Sequence, residues 1–479
     1  MEAMLSKIRL KIKDLLSSSV FWSWLMNGLR MTSGLIVLPL LIHYLPKPEF
    51  DMYFVFLSFW ALIPIIDFGF VHNFGRAIAY AMAGASRLLT EGYEPEPNAK
   101  GPNYQLLFTI LNTTRFLYRW FAIGTLAILA TIGTWIIFKG VKETTSPTIT
   151  WIAWGLMIIA IALEIYLAWW NNALMNMNRV RLALQYTVLA MMVRLIILTG
   201  LLIGGASLLS LPISNIISSL VQRVLSRIAV LKELPKPIPP PNQEAIKSTI
   251  LQLWPNTWRT GIHLFSGYLS TQAMTLVCLK TMGLATSGMY GFTNQLLNIA
   301  SSIAQAWTQV KWPYINQLRI KGDLSTLEKI LRVRVWLQFT TYILIALIIV
   351  FLIPHLLSKH HSGKTLLPSP WLELMAGLKF FELSLTLSTT LIFTENRMPF
   401  FWATTFTNLA SVILAVVLVK LTSLDLGAVI LPPLILGLAY NFWKWPIEAL
   451  RGINTTPLKF LFSIKPRDLI GVKESYTRQ

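Results

Sequence analysis

Residues 20–44 read VFWSWLMNGLRMTSGLIVLPLLIHY, a run of 25 positions with one formal charge, Arg30. As a helix the run spans about 37 Å, enough to cross a hydrocarbon core about 30 Å thick. It is too long for a cleavable leader and lacks a small-residue cleavage site, so it reads as a retained first span. Upstream, Leu5, Ile8, Ile12, Leu15 and Leu16 alternate at helical spacing with Lys7, Arg9, Lys11 and Lys13. That pattern predicts a basic amphipathic helix over 1–19, lying on an anionic membrane surface.

Downstream the pattern repeats. Apolar runs predict about twelve spans, near 20–44, 50–80, 105–138, 150–171, 182–203, 208–230, 249–280, 285–312, 333–354, 366–394, 399–420 and 425–446. The composition agrees, with 54% hydrophobic and 13% charged residues. A soluble chain averages roughly 25% charged residues and could not hide this much apolar surface. Pro39, Pro64 and the Pro432-Pro433 pair lie inside runs, where they bend or break helices. Tryptophans near span ends, such as Trp22, Trp151, Trp169 and Trp443, read as interface anchors.

The net charge is +20. Nucleic acid is the usual partner of so basic a chain, but here the cations sit in short loops between apolar runs, which argues for membrane orientation instead. With the N-terminus inside, 30 of the 41 Lys and Arg fall on the inner side and seven on the outer. Both termini are therefore expected in the cytoplasm. The outer connections are short, leaving no external domain to carry chemistry. No phosphate loop, dinucleotide fingerprint, hydrolase or metalloprotease motif occurs, and neither enzymatic activity nor a cofactor is expected. His360-His361 lacks further ligands, and Cys278 has no second cysteine to pair with.

The segment 231–247 contains KELPKPIPPP, which is extended rather than helical. It divides the chain into six-span lobes, 20–230 and 248–447, followed by a basic cytoplasmic tail, 448–479. The lobes share short matches: Asp51-Met52-Tyr53 with Gly288-Met289-Tyr290, and Asn178-Arg179 with Asn396-Arg397. Even span counts give the two lobes one orientation, with a central site between them.

Ionisable groups in a bilayer usually face a bundle interior or a wet cavity. Asn27 and Arg30 share a face of the first span, and Arg259 and His263 a face of the seventh. Lys379 and Glu382 share a face of the tenth. Arg76 follows Asp67 toward the inner end of the second, Glu164 lies in the fourth span and Arg194 in the fifth. Arg30 and Arg259, with Asn27, His263, Arg76 and Lys379, are the candidate lining of a cationic cavity for an anionic group, since guanidinium binds phosphate oxygens bidentately. Asp67, Glu382 and Glu164 are candidates for ion coupling or kink stabilisation. Glu164 is expected to pair with Arg194, and Lys379 with Glu382.

Several short stretches carry a resemblance. Gly34 to Pro46 followed by Glu49-Phe50-Asp51-Met52-Tyr53, then Asp67-Phe68-Gly69-Phe70 with Arg76, Asn178-Arg179-Val180-Arg181 and Gly288-Met289-Tyr290 with Asn294, resemble the polysaccharide flippases. Those belong to the multidrug/oligosaccharidyl-lipid/polysaccharide exporter superfamily. The resemblance implies an all-α polytopic membrane protein with two six-helix lobes around a central cavity. It also implies flipping of an anionic lipid-linked oligosaccharide, on undecaprenyl pyrophosphate, across a bacterial inner membrane by alternating access. Expected partners are that substrate, membrane lipids and polysaccharide biosynthesis machinery. One departure stands out: the acid often found in the seventh span is absent from Ser270-Thr271-Gln272-Ala273-Met274, which removes the basis for ion coupling there. The competing readings are a multidrug or cation antiporter of the same fold, and a membrane glycan polymerase or ligase.

Overall fold

A computed structural model describes residues 19–88, 101–236, 242–320, 322–359, 363–395 and 397–462. The described residues form helices joined by short turns, in two compact units, Met1–Tyr268 and Leu269–Gln479. The expected interfacial helix at 1–19, apart from Ser19, and the tail beyond 462 lie outside the described residues, as do His360 and His361.

The N-terminal unit opens with α1 (Ser19–Tyr44), then α2 (Lys47–Trp60), α3 (Ile63–Ile66) and α4 (Phe70–Met82). The second span, predicted as one helix over 50–80, is therefore three pieces. The break before α4 has a local cause: Phe68 at φ 55° and Gly69 at φ 79° are both left-handed. Glycine pays nothing for that geometry, whereas phenylalanine does. Next come α5 (Tyr104–Ile128) and α6 (Thr134–Lys142), joined by a π-helical turn, Leu129–Gly133. Beyond them lie α7 (Pro147–Leu167), α8 (Trp169–Asn176), α9 (Val180–Ile203) and α10 (Ser210–Glu233). Asn178 turns the chain between α8 and α9 at φ 67°, a conformation asparagine tolerates. Helix α7 packs between α5 and α10, and α9 packs between α10 and α1.

Helix α11 (Gln243–Thr271) follows the proline-rich segment, of which 237–241 lie outside the described residues. Helix continues to Glu233 and resumes at Gln243, inside the 231–247 segment read from sequence as extended. Asn242 starts α11 by accepting the Glu244 N–H at 3.0 Å. Most of α11 belongs to the first unit, which ends at Tyr268 inside this helix. Tyr268 donates to the Ser58 carbonyl of α2 at 3.0 Å. Trp254 stacks on Phe68, ring centroids 6.4 Å apart. Gly261 leaves room for that same ring, since a Cβ there would overlap Phe68.

The second unit contains α12 (Ala273–Met282), α13 (Leu284–Gln309), α14 (Trp312–Ile320), α15 (Leu324–Leu347), α16 (Ile353–Lys359), α17 (Trp371–Phe393), α18 (Phe401–Leu421), α19 (Gly427–Leu436), α20 (Phe442–Arg451) and α21 (Pro457–Phe462). Its core gathers Ile315, Leu327, Leu331, Ile392, Phe400 and Trp445. Helix α13 packs on α15 and α17, and α17 on α20.

The third span of each lobe has the same build. Asn103 caps α5 by accepting the Leu106 N–H at 3.0 Å, and Asp323 caps α15 by accepting the Thr326 N–H at 3.1 Å. After 25 and 24 helical residues respectively, each helix passes through a five-residue π turn, Leu129–Gly133 and Ile348–Leu352. The composite helix Tyr104–Lys142 has 39 residues, about 58 Å, so it must tilt or project beyond the hydrocarbon.

Each predicted span has a helical counterpart. Among the described residues, nine helices are long and apolar enough to cross a membrane. The remaining three counterparts are the seventh, eighth and twelfth. Gln252, Asn256, Arg259 and His263 lower the apolarity of α11, and Thr293, Asn294, Gln295, Asn298 and Gln305 that of α13. The twelfth is split by a π turn, Gly437–Asn441.

Candidate functional site

The break before α4 is held by one carboxylate. Asp67 accepts the Val71 N–H at 2.9 Å through Oδ2, and Tyr118 of α5 donates its hydroxyl to Oδ1. One turn further, Asn73 donates to Thr257 Oγ1 of α11 at 2.7 Å. Arg76 donates to Asn73 Oδ1 at 2.5 Å and is otherwise exposed. Thr257 passes its own proton to the Leu253 carbonyl at 2.7 Å. A single polar chain thus runs from the Arg76 guanidinium to the α11 backbone. Sequence reasoning picked out Asp67 and Arg76 but missed Asn73 and Thr257, neutral residues whose only available signal was their placement inside apolar runs.

Arg30 lies exposed on α1. Asn27, also exposed, returns its amide to the Ser23 carbonyl at 2.9 Å. Two further arginines, Arg115 and Arg119, lie exposed one turn apart on α5. Sequence reasoning assigned them to the inner-side charge; their spacing of four on one helix face is the signal that would have found them. Arg259 and His263 lie on α11, four apart, and their side chains fall outside the described residues.

The carboxylates of these spans are occupied by protein groups. Glu49 holds the turn before α7 by accepting the Thr145 N–H at 2.9 Å and the Thr145 hydroxyl at 3.0 Å. Glu164 is held by Arg223 and Ser219, both from α10. The expected Arg194–Glu164 pair does not form. Helix α10 packs against α7 and presents Ser219 and Arg223 one turn apart to the acid. Arg194 instead has a buried Nε without a partner among the described residues.

In the second unit Lys379 and Glu382 pair at 2.8 Å, with the lysine buried. A separate charge network joins Arg319, Glu395, Arg397, Glu448 and Lys444 near the ends of α14, α17 and α20. Among the described residues no group of three His, Cys, Asp or Glu is placed to hold a metal ion.

No protein-family model matches the chain, and no curated protein matches its sequence. Solved structures do. The inward-facing conformation of a multidrug resistance MATE family transporter of the MOP superfamily matches with a TM-score of 0.61 at 12% identity, over 92% of this chain and 96% of that one. The chain has the MATE fold. It is an all-helical, multi-span membrane protein of that architecture. An outward-facing conformation of a MATE family transporter matches with a TM-score of 0.49 at 11% identity, over 92% and 98% of the two chains. A MOP superfamily transporter from Pyrococcus furiosus, described as having a binding pocket of reverse polarity, matches with a TM-score of 0.43 at 11% identity, over 92% and 98%.

Proposed function

We propose that this chain is a carrier of the MATE fold that moves the anionic headgroup of a lipid-linked oligosaccharide between the leaflets of a bacterial inner membrane by alternating access. One observation carries the reading. In the spans of the first unit Glu49, Asp67 and Glu164 are each engaged by protein groups. Arg30, Arg76, Arg115 and Arg119 are exposed and have no carboxylate partner among the described residues. Exposed guanidinium groups without a carboxylate partner in a membrane protein favour an anion from outside the chain, and a pyrophosphate suits their bidentate geometry. The lipid tail stays in the bilayer while the headgroup crosses. Loading from the cytoplasmic side follows from the expected placement of both termini, and delivery to polysaccharide-building enzymes follows from the substrate.

A cation or multidrug antiporter of the same fold is the competing reading, favoured by the multidrug resistance transporter of matching architecture. It requires a carboxylate free to take the cation, whereas Glu49, Asp67 and Glu164 are already occupied. The deciding experiment replaces Arg30 and Arg76 by Ala in cells that depend on this gene. Surface polysaccharide should fall at least tenfold while protein level and drug susceptibility stay unchanged. Normal export from the double variant would end the anionic-carrier reading, and drug sensitivity without a glycan defect would favour the antiporter.

A further inference from the structure

Within the second unit, α13, α15 and α17 line an open cavity of about 310 Å³, at the lower end of the range of small-molecule sites. Its wall is mostly apolar surface, with Leu387 and the indole of Trp312 beside it, and carries the polar groups of Gln305, Thr308, Gln338, Thr386 and Thr390. No charged side chain lines it.

Gln338 carries the unmet hydrogen-bonding capacity of this wall. It is fully buried, and its Oε1 accepts the Thr308 hydroxyl at 2.7 Å. Its Nε2, with two hydrogens to donate, has no partner among the described residues. A buried donor without an acceptor costs stability, and a leucine of similar size would avoid that cost. The neighbouring hydroxyls of Thr386 and Thr390 are spent on helix carbonyls, yet their oxygens still accept. The wall therefore offers unused donors and acceptors side by side. A cation would find no counter-charge here, and neither would an anion. A ligand with groups that both donate and accept, and with an apolar C–H face to lie on the indole and Leu387, matches this mixed wall.

We infer that this cavity is a subsite for an uncharged sugar residue, separate from the arginines of the first unit. Its identification as a saccharide site rests on the glycan-carrier reading above. Binding and export are separable, so the two can fail independently.

The test uses the purified full-length protein in nanodiscs, with N-acetylglucosamine and glucose as probes and glycerol as the control, read by saturation-transfer NMR. The sugars should give saturable signals and glycerol none. Gln338→Leu should weaken them about fivefold, the loss of one hydrogen bond to a neutral group. Gln338→Leu should also melt at or above the wild-type temperature without sugar, because Thr308 keeps its alternative acceptor, the Gln305 carbonyl at 3.1 Å. Thr390→Val removes a wall hydroxyl at a less buried position and should weaken binding in the same direction. Sugar signals unchanged in both variants, signals no stronger than those of glycerol, or a cavity holding ordered water only would each overturn the inference. A sharp fall in melting temperature for Gln338→Leu would do the same, by showing a purely structural role. Saturable, Gln338-dependent sugar binding together with normal export from the Arg30 and Arg76 variant would leave the subsite standing and remove the carrier mechanism.

Discussion

Asn73 sits between Arg76 and Thr257, accepting from the first at 2.5 Å and donating to the second at 2.7 Å. One amide thereby orients an exposed guanidinium and ties α4 to α11. Asn73→Leu should lower stability by about 1–3 kcal/mol, because it strips a buried polar pair of one partner. Thr257→Val should cost a similar amount, and the double variant little more than either. A double-mutant cycle by denaturation in detergent measures the coupling, and strictly additive losses would show that the two residues act separately.

Glu164 and Arg223 form a buried pair closed by Ser219. Removing one partner leaves an uncompensated charge, so Glu164→Leu and Arg223→Met should each cost about 3–5 kcal/mol and reduce the amount of folded protein. Combining them should recover most of the loss. Expression level and thermal melting check this, and a double variant as poor as the worse single one would point to a role beyond packing.

Asp67 spends both oxygens on the structure around the α4 break, through Val71 and Tyr118. Asp67→Asn keeps an oxygen to accept those bonds, whereas Asp67→Ala keeps none. On the carrier reading, Asn should therefore retain at least half of the export activity, and Ala should destabilise the protein by about 1–2 kcal/mol. Complementation together with thermal melting reads both. Complete loss of export in a stably folded Asn variant would mean that Asp67 exchanges a proton or an ion during transport.

Asp323, outside the spans, is held below the ordinary aspartate range by hydrogen bonds from the Thr326 side chain, the Thr326 N–H and Ser325. The folded state favours its ionised form. The stability it adds is thus present above the unfolded value of about 3.9 and lost as pH falls through the lower folded value. A melting profile between pH 6 and 3 should show a small loss at the acid end that Asp323→Asn lacks.

Much of this architecture was legible in the residues. The apolar runs located helices for all twelve spans because a bilayer demands one length of one kind of residue. The break at Phe68-Gly69 was legible only through the family likeness of Asp67-Phe68-Gly69-Phe70, since the apolar run itself reads as one span over 50–80. Pairing was less legible. Glu164 was matched to Arg194 because both were charged and lay in neighbouring spans, but a sequence shows which residues share a face of one helix, not which neighbour that face meets. Arg223 was counted with the inner loop charges, although it lies within α10 and is buried. The Asn73–Thr257 contact joins neutral residues 184 positions apart, and no periodicity could have revealed it.

The matching caps and π turns of α5 and α15 bear on ancestry. Such turns are rare in helices. Here two of them stand at nearly the same distance from an aspartate or asparagine cap, in helices that occupy the same rank in each lobe. Copying of one half-length gene predicts such a match, with both copies keeping the irregularity while their side chains diverge; the third π turn, Gly437–Asn441, has no counterpart in α10 and would then be a later change. Structures of distant relatives should retain both turns where their sequences no longer align, and loss of one turn alone would count against duplication. Backbone geometry would then preserve the record of that event better than the residues do.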